Sequence, residues 1–155
     1  MTPREMTFYE VLRMVDLFNE LEPPQLRKVA KITTQLEFVP DEIIYREGEL
    51  GKGLYIIREG NVCVEMDIPD HGLVTLYNLG PGQLFGWSAL IPGRRKKARA
   101  RATNPTKVLF IDANDIRNLS RLDHKVDRAL MNCVIQVMAE RLYATREGLA
   151  RRSSS

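Results

Sequence analysis

The apolar rhythm of this chain changes at Thr33, and that change restricts the fold more than any other feature of the sequence. Before it, Phe8, Val11, Leu12, Val15, Leu17 and Phe18 recur with helical spacing, and residues 8–18 are predicted as a helix. Pro23-Pro24 opens a second helix, prolines being tolerated in a first turn, with Leu26, Val29, Ala30 and Ile32 as its apolar face. After Thr33 the period is 2. Residues 36–39, 43–45, 54–57, 62–66, 74–77 and 108–111 read as short strands, separated by glycine turns such as Glu47-Gly48-Glu49 and Glu59-Gly60-Asn61. Many short strands at a spacing of about 8–12 residues indicate a sandwich or barrel. Helices that flank such a body have one role, which is to cover a sheet.

The last long element is helical again, predicted from about residue 123 to 149. Met131, Ile135, Met138, Leu142, Thr145 and Leu149 recur at spacings of 4, 3, 4, 3 and 4, a heptad seam. A second row, Val126, Leu130, Val134 and Val137, lies beside it. One row suffices to pack a helix on a β body. Two rows point to a second helix as well, most simply the same helix of another copy in a parallel dimer, the alternative being one wide helix buried in a monomer. Between strand and helix, Asp112 or Asn114 caps a short helix around Ile116 to Leu119.

Charge is concentrated in one place. Six of the eight residues from Arg94 to Arg101 are cationic, whereas the whole chain of 155 residues carries a net charge of only +3. Within this run Ala98, Ala100 and Ala102 alternate with Lys97, Arg99 and Arg101, so a strand here places cations on one face and small residues on the other. Just upstream lies the glycine-punctuated segment Leu79-Gly80-Pro81-Gly82-Gln83-Leu84-Phe85-Gly86-Trp87-Ser88-Ala89-Leu90. A glycine before a one-turn helix aims backbone N–H groups at an anion, and nearby cations close over it. The two features together read as a phosphate cradle. A solvated basic loop, or a face for an acidic protein or membrane surface, is the alternative.

This stretch resembles the phosphate-binding cassette of the cyclic-nucleotide-binding domain family, the sensor of catabolite-activator-type regulators, kinase regulatory subunits and gated channels. Phe85, Gly86, Ala89 and Leu90 match its Phe-Gly-Glu-x-Ala-Leu; Trp87 stands where the glutamate that takes the ribose 2′-hydroxyl belongs. Counting back from Ala98, Lys96 and Lys97 occupy the positions of the phosphate-pairing arginine and its hydroxyl neighbour, which exchanges a bidentate donor for a point charge. Residues 54–64 are similar to the family's strand–turn–strand, Phe18, Leu21, Leu26 and Ala30 to its opening helices, and residues 138–145 to the helix whose polar residue, here Thr145, reaches the purine. The resemblance implies one domain over residues 1–155: helices in 1–32, a double-stranded β-roll in 33–112 with the cassette at 85–98, and helices in 113–152. It implies a ligand held by Phe85, Gly86, Trp87, Ser88, Ala89, Leu90, Arg95, Lys96, Lys97, Ala98 and Thr145, with cAMP or cGMP as the natural candidates.

Open alternatives attach to three of these residues. Trp87 is either a core or dimer-facing aromatic or a wall against a different ligand. Ser88 either donates to a phosphate or caps the short helix. Thr145 contacts a ligand or packs in the seam.

Other functional classes find little support. His71 and His124 are the only histidines and neither has a partner at metal-ligand spacing, and there is no Gly-x-Ser-x-Gly or P-loop lysine motif, so neither an enzyme nor a metal site is expected. No helix-turn-helix follows the long helix, which disfavours DNA. No apolar run spans a membrane, no signal peptide opens the chain, and Cys63 and Cys133 sit in apolar patterns, so a soluble cytoplasmic protein with buried thiols is expected. Two functions remain. One is a stand-alone sensor that binds an anionic effector, is dimeric through its long helix and passes the signal to an unidentified effector protein. The other is a degenerate module kept as a dimerisation and interaction scaffold.

Overall fold

The computed structural model describes residues 6–153, and their side chains except those of Leu17 and of residues 145–153. Eight strands form two four-stranded antiparallel sheets: β1 (Thr33–Phe38), β8 (Thr106–Asp112), β3 (Gly53–Glu59) and β6 (Leu84–Phe85) in one, and β2 (Ile43–Tyr45), β7 (Arg99–Ala102), β4 (Val62–Ile68) and β5 (Gly72–Leu79) in the other, each in that spatial order. Helices α1 (Phe8–Arg13), α2 (Pro23–Lys31), α3 (Ala113–Leu122) and α4 (His124–Ser153) flank them. This is the expected β-roll with helices at both ends of the chain.

The inner part of the first sheet is buried on both faces, and its sequence pattern follows from that. Leu54 and Ile56 of β3, Leu84 of β6 and Leu109 and Ile111 of β8 pack under the helices, with Leu26, Val29, Val126 and Leu130. Their neighbours Tyr55, Ile57, Phe85 and Val108 point the other way, into the roll, against Val62, Val64 and Ala100 of the second sheet. A strand with two dry faces reads as a continuous apolar run, which is what residues 54–57 show.

The N-terminal helix is shorter than its periodicity suggests. α1 ends at Arg13, Val15 is extended (φ −84°, ψ 118°), and a separate 3-10 turn covers Asp16–Phe18. The break lets Val15 and Phe18 join Leu12 in the buried cluster, so burial overrides helical continuity. At the other end, the Asp112 side chain caps α3 by accepting from the amides of Asn114 (2.8 Å) and Asp115 (3.1 Å). The Asp123 carboxylate accepts from the amides of Lys125 and Val126 at the start of α4 and holds Lys28 of α2 at 2.7 Å.

The two apolar rows of α4 separate cleanly. Val126, Leu130, Val134 and Val137 are buried on the roll, whereas Met131, Ile135, Met138 and Leu142 are exposed. The wide helix buried in a single copy is therefore not what the described residues form. Leu149 lies outside the described side chains.

Candidate ligand-binding site

β6 leads directly into the site. Phe85 is fully buried, stacked on Tyr55 with ring centroids 4.9 Å apart, and this fixes where the strand ends. Gly86 then takes a left-handed conformation (φ 83°), and a Cβ at that position would lie 2.8 Å from the Tyr55 ring, so the turn requires glycine twice over. Trp87–Leu90 follow as one 3-10 turn. Gly51 passes close beneath Ala89, and Arg117 of α3 donates to the Ala89 carbonyl at 3.1 Å. The turn is held from both sides.

The basic segment is pinned just as firmly. Lys96 donates its amide to the Glu49 carbonyl and accepts from the Gly48 amide, each at 2.8 Å, while the Arg95 guanidinium donates to the Gly48 carbonyl at 2.9 Å. Alternation from this anchor decides each side chain's direction. Lys96 falls in the same row as Ala98, Ala100 and Ala102, which turns inward, and it is 4% exposed. Its ammonium donates to the Gly86 carbonyl (3.1 Å) and the Ser88 hydroxyl (3.0 Å) and sits 4.4 Å from the centre of the Tyr45 ring. None of these partners is a carboxylate. Burial alone pulls its pKa down to about 8.

Arg99 and Arg101 belong to a different arrangement. They converge on the buried carboxylate of Glu65 on the opposite face of the second sheet, at 2.7 and 2.6 Å, and Arg101 also reaches Asp41 at 2.8 Å. The Arg101 hydrogen bond, with Arg99 in support, holds the Glu65 carboxyl down to about 2. The cationic run is thus divided between two tasks, one inside the roll and one on its outer surface.

Beside Lys96 lies a cavity of about 250 Å³. Of the residues that the sequence assigns to a ligand site, Phe85, Gly86, Trp87, Ser88, Arg95, Lys96, Lys97 and Ala98 line it. Ala89 and Leu90 do not: Ala89 is buried over Gly51, and Leu90 packs into the core beneath the helices. Their contribution is to hold the turn. The side chain of Thr145 lies outside the described residues. Ser88 does not cap the short helix, whose N-cap is Gly86 and has no side-chain hydrogen bond; its hydroxyl oxygen accepts from Lys96 instead.

Several lining residues escape the sequence reading, Tyr45, Tyr77 and Arg141 among them. Arg141 is 8% exposed, and its guanidinium lies 4.7 Å from the Trp87 ring and 5.6 Å from that of Tyr77, donating to the Leu84 carbonyl. Burial pulls its pKa down to about 10. Trp87 is therefore half core, half wall, packed against the buried cluster with a guanidinium over its ring. A signal for Arg141 exists in the sequence. It continues the buried row Val126, Leu130, Val134, Val137 by one more step of four, a cation where the pattern demands an apolar residue. Five cations line the cavity and, among the described residues, no carboxylate does.

Comparison with known proteins places this geometry. The family model for the cyclic nucleotide-binding domain matches residues 35–123, more than half of the chain. The chain belongs to the cyclic nucleotide-binding domain family. The cAMP-dependent protein kinase type II regulatory subunit of Drosophila melanogaster is 31% identical over 113 residues, covering 72% of this chain and 30% of the subunit. The catabolite activator protein of Thermus thermophilus has a TM-score of 0.72 at 27% identity, over 88% of this chain and 62% of that one. A cyclic nucleotide-binding domain from Methylobacillus flagellatus, at 21% identity, shares the fold with a TM-score of 0.83 over 94% of this chain and 82% of its own. The chain thus spans under a third of the kinase subunit's length.

Among the described residues of this family member, no helix is long and apolar enough to cross a membrane, and no group of three or more histidine, cysteine, aspartate or glutamate side chains could hold a metal ion.

Proposed function

We propose that this domain is a regulatory sensor that takes an anionic effector of nucleotide-like character in the cavity beside Lys96 and passes the change to α4. One observation carries the reading. A buried ammonium with no carboxylate partner faces a cavity that Arg141 also lines. Desolvating such a charge costs several kcal/mol, and an incoming anion offsets that cost. Membership in a family whose relatives include a kinase regulatory subunit and a catabolite activator supports a regulatory role.

The route to α4 is short, because Arg141 is both a wall of the cavity and a residue of that helix. A ligand that contacts Arg141 favours one placement of α4 over others, and a ligand shifts such an equilibrium only through differential contacts. The exposed row of α4 is the surface through which a second copy of the chain, or an effector protein, receives the signal.

Isothermal titration with cAMP, cGMP and cyclic dinucleotides tests the binding step. Heat is expected from at least one of them, it should weaken as salt rises, and it should vanish in the Lys96→Ala/Lys97→Ala variant. Silence from every anion would leave the scaffold reading. That reading has its own support, since the Lys96 ammonium already makes two hydrogen bonds within the chain and sits over the Tyr45 ring.

A further inference from the structure

The anion explains one end of a ligand; the other walls of the cavity describe the rest of it. Val64 and Met66 line the cavity from the second sheet, and Leu76, Ile91 and Met138 line it while remaining 37, 44 and 45% exposed. Exposed apolar side chains that converge on a basic cavity are covered by the apolar part of whatever enters. A volume of about 250 Å³ suits a compact body.

Sugar hydroxyls meet a different reception. A ribose hydroxyl donates, and it is read by an acceptor that is free to take the hydrogen bond, above all a carboxylate. No described carboxylate lines the cavity. The Gly86 carbonyl and the Ser88 oxygen both accept from Lys96 already, which leaves the Ser88 O–H as a donor for an anion and only neutral lone pairs as acceptors for a hydroxyl. Tyr45 is a neutral phenol whose pKa burial raises further, so it offers an anion its O–H and a hydroxyl only an uncharged oxygen. No described group near the ammonium carries the negative charge that best reads a ribose hydroxyl, whereas the nearby cations and O–H groups suit an anion.

Resting on the proposed anion site, we infer that its preferred ligand is an aromatic anion without sugar hydroxyls, of the aryl phosphate or aryl carboxylate class, and that the site does not read a ribose 2′-hydroxyl. The charged group lies at Lys96 and Arg141. The flat body lies between Met66, Leu76 and Met138.

Isothermal titration of the full chain with 1-naphthyl phosphate, inorganic phosphate, cAMP and 2′-deoxy-cAMP tests this. 1-Naphthyl phosphate is expected to bind at least about tenfold tighter than inorganic phosphate, and cAMP and its 2′-deoxy analogue to agree within about threefold. Met138→Gln, at a position exposed enough to spare the fold, should weaken 1-naphthyl phosphate at least about threefold. Since Trp87 is the only tryptophan, a change in tryptophan emission on adding cAMP reports occupancy of this cavity directly. A larger loss on removing the 2′-hydroxyl, no gain from the naphthyl ring, or no effect of Met138→Gln would each overturn the inference and leave the anion site standing. Failure of all four compounds to bind would overturn both.

Discussion

Lys96 keeps a charge in a place where only a carbonyl, a hydroxyl and an aromatic face meet it. Its pKa, pulled down to about 8, makes the state of the site depend on pH in two ways with opposite signs. An anion beside the ammonium raises that pKa again, so binding above about pH 8 must bring a proton with it. Affinity for the anion should therefore fall as pH rises through about 8, approaching tenfold per unit, and calorimetry across that range should show the slope disappear in Lys96→Met. Folding without ligand responds the other way. Between about 8 and the ordinary lysine value of 10.5 the unfolded chain holds the proton that the folded chain has released, so stability rises with pH across that window. Gly86 sets a second limit at this scale: Gly86→Ala forces a Cβ against Tyr55 at a positive φ, and urea unfolding should record a loss of about 1–3 kcal/mol.

α4 shows why part of the molecule was legible and part was not. Two apolar rows on one helix were readable from spacing, and the roll buries one while the other stays exposed. If that outer row, Met131, Ile135, Met138 and Leu142, meets the same helix of a second copy, the chain sediments as a dimer. Ile135→Glu should then give a monomer with unchanged circular dichroism, and a wild-type monomer at micromolar concentration would refute the pairing. Arg141 was hidden in the inner row because a charge on an apolar stripe reads as an interruption, although the stripe carries it into the cavity. Lys96 was legible as a phosphate-side residue but not as a buried one. One further step of the Ala98–Ala100–Ala102 alternation places it inward, yet six neighbouring cations look alike until the sheet divides them. The two-residue β6 and the break at Val15 carry no period of their own, being imposed by the core they fill.

For the molecule as a whole, the site is held on one side by the aromatic interior and on the other by a polar clamp across the second sheet. Glu65 of β4 takes Arg99 and Arg101 of β7, and Arg101 continues to Asp41 in the turn before β2, so two carboxylates bridged by Arg101 join two strands and the turn that leads to a third. Ala100, between these arginines, and Ala102, after them, face the roll, and the strand that bears them continues from the segment that aims Lys96. Loosening the clamp should thus be felt in stability first and at the site second. The pKa of Glu65 falls from an unfolded value near 4.5 to about 2, chiefly through Arg101. A carboxyl depressed by folding contributes stability above its unfolded pKa and loses it as pH drops toward the folded one, here between about 4.5 and 2. The loss is on the order of 3 kcal/mol if the whole shift is realised, less to the extent that water screens the partly exposed arginines. Acid unfolding followed by circular dichroism should therefore show a steep fall in stability over that range in the wild type. In Glu65→Gln the same range should be flatter, from a lower plateau at neutral pH, because the titrating group is gone and two arginines have lost their carboxylate. An unchanged acid profile in Glu65→Gln would mean that the clamp adds nothing to the roll, and that the aromatic interior alone holds in register the strand that follows Lys96.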